Sequence, residues 1–349
     1  MAKLLGNLIC WFAIIGIVTQ PAPSPAYAQM ANLPNASPTA DAQSLLDHGR
    51  VDEALKALNA LAQMQPEPAG VERLRGMGYY EQGQIQQAMQ AFERALVQDP
   101  EDREAMQMEG VTLFLSGKPA SAIPLLEKAQ LSIPASNVDN NYVLGLCYLD
   151  SQRYDDARRA FATQYKFAVD SAAAYLLTAR MMLRRDYLPL ADTYAQKALA
   201  LNPTLPMAHL LLGQIRLSRS ELPEAVAEFE HERTLNPLFG EVYDRLGDSY
   251  LRQEEFAKAQ EALDQAVLLE PNSPVPLILL GKVLFKQQAF LMAQKYLIKA
   301  IALEPGNYVP HALMGQVYRS LGQTDKASQE FRLVEQIQAA AQPKIEPLK

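Results

Sequence analysis

Apolar and polar positions along this chain repeat with a period of 34 residues. Large apolar residues recur at Leu58, Phe92, Leu126, Phe161, Phe229, Leu263, Leu297 and Phe331, and Ala195 holds the equivalent place between Phe161 and Phe229. Alanine stands four residues ahead of every one of them, at Ala54, Ala88, Ala122, Ala157, Ala191, Ala225, Ala259, Ala293 and Ala327. Another twelve residues upstream the side chain is minimal: Ala42, Gly76, Gly110, Gly145, Ala179, Gly213, Gly247, Gly281 and Gly315. Turn residues such as Gln82-Gly83-Gln84, Ser116-Gly117-Lys118 and Leu321-Gly322-Gln323 divide the units into two stretches. Proline, which cannot continue a helix, closes most of them, at Pro66, Pro100, Pro134, Pro203, Pro237, Pro271 and Pro305. The pattern predicts two antiparallel helices per unit. The glycine or alanine of the first should face the alanine of the second, with large residues filling the space around them. One inserted residue near Asn137 keeps the register.

Tyr243-x2-Leu246-Gly247-x2-Tyr250, followed by Ala259-x3-Leu263 and Pro271, resembles the tetratricopeptide repeat, whose unit reads W-x2-L-G-x2-Y, A-x3-F, P. Leu212-Gly213 through Ala225-x3-Phe229 to Pro237 resembles it as well. The likeness runs from Asn35 to Ala341, as nine units starting near residues 35, 69, 103, 138, 172, 206, 240, 274 and 308. It implies an all-α fold, a right-handed superhelical solenoid of about nine helix-turn-helix units, each burying its apolar face only against its neighbours.

Composition narrows the class. Hydrophobic residues are 49% and charged ones 20%, enough for a substantial core. The net charge of -7 argues against nucleic acid, which requires a basic face. At the N-terminus, Lys3, an apolar run from Leu8 to Val18 and the small-x-small site Ala26-Tyr27-Ala28 read as a signal peptide over residues 1–28. The expected destination is the bacterial periplasm or the exterior, with an uncleaved membrane anchor as the alternative. Cleavage would leave Gln29 first and Cys147 as the one remaining cysteine, so no internal disulfide could form. A Pro-rich linker over residues 29–38 precedes the solenoid at 39–341, and a tail over 342–349 follows it.

Some positions depart from the pattern. The fifth unit carries Thr178 and Ala195 where larger apolar residues are expected, and the fourth closes on Val169 in place of proline. This region is either a joint in the array or ordinary drift between repeats. Arg75 and Glu109 hold the same normally apolar position in adjacent units, a placement that would let them pair across the unit boundary. Arg216 and Glu232 in the sixth unit replace expected apolar or small residues.

No catalytic constellation emerges. His48, His209, His231 and His311 lie in different units or on different faces, without metal-ligand spacing, and His209 and His311 sit where the family carries a large aromatic. Cys147 reads as a small core residue. No phosphate loop, dinucleotide fingerprint or nucleophile elbow is present. The expectation is no catalytic residue, no metal and no cofactor, and no small-molecule substrate is evident.

In the family the first helix of each pair lines an inner surface. Carried over position by position, the resemblance puts Phe114, Tyr142, Leu146, Leu176 and Leu210 on that surface, with Val111, Leu149 and Leu183 beside them. Arg180, Arg184 and Gln214 interleave with these, and Asp244, Asp248, Arg252, Lys282 and Lys286 follow. Such a strip suits a protein or peptide partner. Arg73 is followed by Met77 where a chaperone-type carboxylate clamp would need asparagine, which argues against that clamp. The expected function is a non-catalytic scaffold in cell-envelope assembly. A self-associating structural protein and a regulatory subunit of an envelope enzyme are the alternatives, so a homo-oligomer or a membrane-associated complex stays open.

Overall fold

The computed structural model describes residues 39–129 and 140–341, with side chains to residue 340. The signal segment, the Pro-rich linker, the insertion near Asn137 and the tail over 342–349 lie outside the described residues. Every regular element among the described residues is an α-helix. None of these helices is long and apolar enough to cross a membrane.

The chain divides into two compact units, Met1–Val169 and Asp170–Lys349. The first pairs α1 (Ala40–Asp47) with α2 (Val51–Leu61), α3 (Val71–Glu81) with α4 (Ile85–Gln98), α5 (Arg103–Leu115) with α6 (Pro119–Ala129), and α7 (Asn140–Asp150) with α8 (Tyr154–Gln164). The second pairs α9 (Ala172–Arg184) with α10 (Leu188–Leu201), α11 (Ala208–Ser218) with α12 (Leu222–Leu235), and α13 (Gly240–Arg252) with α14 (Phe256–Leu269). It closes with α15 (Pro274–Lys286) on α16 (Phe290–Leu303) and α17 (Tyr308–Ser320) on α18 (Thr324–Ala341).

The connection inside each pair has one geometry. Gly49, Gly83, Gly117, Gln152, Asp186, Ser220, Glu254, Gln288 and Gly322 occupy the same place in successive pairs, each with φ between 60° and 75°. A left-handed residue there turns the chain and lets the next amides reach back. Gly83 N–H donates to the Tyr80 carbonyl at 2.9 Å and Gln84 N–H to that of Tyr79 at 2.8 Å. Glycine adopts this conformation without steric cost, whereas the five other residues pay for their Cβ.

The pair contact differs from expectation in one respect. The glycine of the first helix faces the large residue of the second, not its alanine. A Cβ placed on Gly110 would lie 2.6 Å from Leu126 Cγ, and one on Gly145 would lie 2.5 Å from the Phe161 ring. Glycine in these pairs lets a ring or a leucine lie flat on the helix backbone, although the first pair holds Ala42 and Leu58 at the same two places in one core. The fifth pair supports this reading. There the large residue is Ala195 and the glycine becomes Ala179, so the volume lost on one helix returns on the other. The second-helix alanines from Ala54 to Ala293 are fully buried, as are Phe92, Phe161 and Phe229.

Candidate partner-binding surface

In the first unit, α5 places Phe114 and α7 places Tyr142 and Leu146, all three half-buried. Tyr142 also belongs to the pair contact, because its ring centroid lies 5.9 Å from that of Phe161 on α8. Val111 and Leu149, assigned to the lining by position, are wholly buried instead. Arg73 on α3 is engaged within the unit, 3.4 Å from Asp102 and in direct contact with Glu104.

In the second unit, α9 presents Leu176, Arg180 and Leu183 half-buried and Arg184 exposed. Leu210 does not join them. It is 2% exposed and shares a core cluster with Val242 and Leu246 of α13, so neighbouring first helices close over the position that was expected to line the surface. Several other arginines of this unit are ion-paired. Arg216 meets Asp192 at 3.1 Å and Arg245 meets Glu241 at 3.0 Å. Arg180 and Arg184, one helical turn apart, have no carboxylate within ion-pairing distance among the described residues; Arg180 reaches only Met207 Sδ, at 3.7 Å. Burial holds the Arg180 guanidinium below its ordinary range, with Glu241 opposing the shift and Arg184 adding to it. Beyond α9 the first-helix face changes sign. Gln214 donates to Glu241 at 3.1 Å, and Asp244 and Asp248 follow on α13 before Lys282 and Lys286 on α15.

Two of these acids carry unusual protonation. Asp244 is 8% exposed, and its Oδ1 has no hydrogen-bond partner. Burial, with Glu270 and Glu241 nearby and Arg245 opposing, raises its pKa to about 7. Glu109 on α5 also rises to about 7, through burial and the neighbouring charge of Glu93. The expected Arg75–Glu109 pair is absent. Arg75 donates instead to Glu72 at 2.5 Å, and Arg94 approaches the same buried carboxylate at 2.9 Å. Residues one turn apart on α3 meet before residues on different pairs can.

Glu232 stands out in the sequence as a departure from the repeat, but its role does not. Wholly buried on α12, it accepts the Met207 N–H at 2.8 Å and the Leu210 N–H at 3.2 Å, capping α11 from another helix. Met207 is left-handed and supplies no side-chain cap of its own, which leaves those amides to Glu232. His209 accepts or donates a 2.7 Å hydrogen bond with Glu228, and His311 makes the same contact with Glu330 at 2.7 Å, each partner nineteen residues on. Among the described residues no group of three or more His, Cys, Asp or Glu could hold a metal ion. Cys147 is wholly buried.

Residues 240–273 and 311–340 match family models described as tetratricopeptide repeat, each spanning one helix pair of this structure. The chain is a tetratricopeptide-repeat protein. A further match, over residues 81–164, is to the family described as anaphase-promoting complex, cyclosome, subunit 3. Tetratricopeptide arrays are protein-interaction scaffolds. Among solved structures, the chain is similar to pilF of Pseudomonas aeruginosa, at 20% identity over 58% of this chain and 92% of that one, with a TM-score of 0.48. It is similar to MamA of Desulfovibrio magneticus RS-1 at 20% identity, over 50% and 98%, with a TM-score of 0.46. YrrB, described as a tetratricopeptide protein with an unusual peptide-binding site, gives 20% identity over 54% and 95%, with a TM-score of 0.44. A search of curated proteins finds no match.

Proposed function

We propose that this tetratricopeptide protein is an exported, non-catalytic scaffold that binds a protein or peptide partner on the first-helix face of its second compact unit, in service of a cell-envelope assembly. The observation that carries the reading is the pair of guanidiniums on α9. Arg180 and Arg184 lie beside Leu176 and Leu183 with no carboxylate of the described residues within ion-pairing distance. An acidic or carbonyl-bearing segment with adjacent apolar side chains would satisfy both requirements, since guanidinium forms charge-assisted hydrogen bonds while the leucines exclude water. The sign change from α9 to α13 gives an extended segment a direction along the face.

The test begins with a photo-reactive group at Leu176, used to capture the partner from the native envelope fraction. Binding of that captured partner is then titrated. Arg180→Ala and Arg184→Ala should each weaken it by about 1–3 kcal/mol with helicity unchanged. Equal affinity for both variants and wild type would sink the assignment of the face. Export has its own check. N-terminal sequencing of the native protein should begin at Gln29, following Ala26-Tyr27-Ala28, and a chain beginning at Met1 would favour the anchored form.

A further inference from the structure

The repeat frame allows the exposed face of one second helix to be compared with the same positions of its neighbours. On α14 that face carries Lys258, Glu261 and Asp264, and on α18 it carries Asp325, Lys326 and Arg332 with one exposed apolar residue, Leu333. On α16 the equivalent positions are Leu291, Met292, Lys295, Ile298 and Lys299. Leu291 is 70% exposed, Met292 46% and Ile298 52%, although Ala293, Leu297 and Ala300 on the opposite side already supply the helix with its core contacts. The packing does not call for these outward apolar residues.

The charge around them is also unlike the rest of the molecule. From Pro271 to Leu303 there are four lysines, Lys282, Lys286, Lys295 and Lys299, and no Asp or Glu, in a chain whose net charge is -7. All four lysines are exposed, and none meets a carboxylate among the described residues. Lys295 and Lys299 share the α16 face with Leu291, Met292 and Ile298, whereas Lys282 and Lys286 lie on α15. Apolar side chains flanked by two lysines on one helix face are the chemistry of an interfacial helix, whose hydrocarbon enters the acyl boundary while ammonium groups meet anionic headgroups. A helix of 14 residues, roughly 21 Å long, offers a ridge and not a slot. Two clefts of this unit lie elsewhere, one among α12, α13 and α14 and one on α18. A ridge fits a planar surface better than it encloses a peptide.

We infer that the exposed face of α16 docks this protein on an anionic phospholipid surface, peripherally and independently of the first-helix face that we assign to the partner. The full chain is tested by co-sedimentation with vesicles of 30% phosphatidylglycerol in phosphatidylcholine and with vesicles of phosphatidylcholine alone. The reading is the ratio of the two affinities, compared between wild type and variants that carry the same N-terminal run and Lys3, so that any preference due to that segment is common to all of them. Wild type should favour the anionic vesicles at least tenfold, and the preference should fade as salt rises. Lys295→Glu with Lys299→Glu should erase the ratio, and Leu291→Ser with Ile298→Ser should lower it severalfold, both with wild-type melting. Lys326→Glu, at the corresponding face of α18, should leave it unchanged. A wild-type ratio near one overturns the inference, as does a ratio that neither double variant moves. If wild type shows no anionic preference but a concentration-dependent mass that the Leu291/Ile298 variant abolishes, the face belongs to a second copy and the membrane reading is wrong.

Discussion

Glu109 and Asp244 show how a single residue can tie the stability of a repeat array to pH. Each is a carboxyl whose folded pKa is raised to about 7, from ordinary values of 4.5 and 3.8. Burial is the main cause in both, with Glu93 adding to it at Glu109 and Glu270 at Asp244. The folded protein therefore holds protons that the unfolded chain has already released. The stability from each group is complete below its ordinary pKa and is lost as pH rises through about 7. The expected result is a fall of about 1–3 kcal/mol per group between pH 4.5 and pH 8, read from urea denaturation. Glu109→Gln should flatten the Glu109 part of that slope and raise stability at pH 8. An unchanged slope would mean that Glu109 ionises in the folded state as it does in water. The sequence marked Glu109 as a carboxylate in a normally apolar position, but it did not show the charges that would surround it. Both residues could be placed in the repeat frame, but their neighbours Glu93 and Glu270 come from second helices, and only packing brings them close.

At the scale of the helix pair, the fit between glycine and the large residue sets the crossing. Alanine is the better helix former by about 1 kcal/mol, so an exposed helical glycine gains from replacement. Gly110 should do the reverse. Its added Cβ would meet Leu126 Cγ and Cδ2 at 2.6 Å, and Leu126 is wholly buried, so its branch point must shift within a packed core. Overpacking of about 1–3 kcal/mol then exceeds the propensity gain, and Gly110→Ala should melt lower than wild type. A variant as stable as wild type would show that Leu126 can leave the helix backbone. The period of the chain revealed that small and large residues alternate. It did not reveal which small residue meets which large one, because both spacings are compatible with two antiparallel helices.

Across the whole molecule, each helix pair touches only those next to it in sequence within its compact unit. Damage at one pair should therefore stay near it. Hydrogen exchange of the Gly110→Ala protein should show faster opening in α5 and α6 and in the adjoining α4 and α7, with α15 to α18 unchanged. Uniform acceleration along the chain would instead point to a single cooperative unit. The boundary between the two compact units falls after Val169, at the unit end that lacks proline. The sequence had marked this place as either a joint or drift.

The helix pairs, their order and their repeated turn were legible in the amino-acid sequence alone, because a period of 34 residues forces the same local solution on every unit: a helix, a left-handed turn, a second helix, a stop. The first helix of each pair was legible as the candidate surface for the same reason. Which of its side chains remain available was decided by tertiary structure. Leu210, Val111 and Leu149 occupy lining positions in sequence but are sealed by packing, Arg73 is neutralised by Asp102 and Glu104, and Arg180 and Arg184 are left without a carboxylate. Position in a repeat is a local property, set by hydrogen bonding along one helix. Exposure and charge neutralisation depend on side chains that arrive from other helices, as Glu232 does at the start of α11, and a one-dimensional pattern does not encode that arrival.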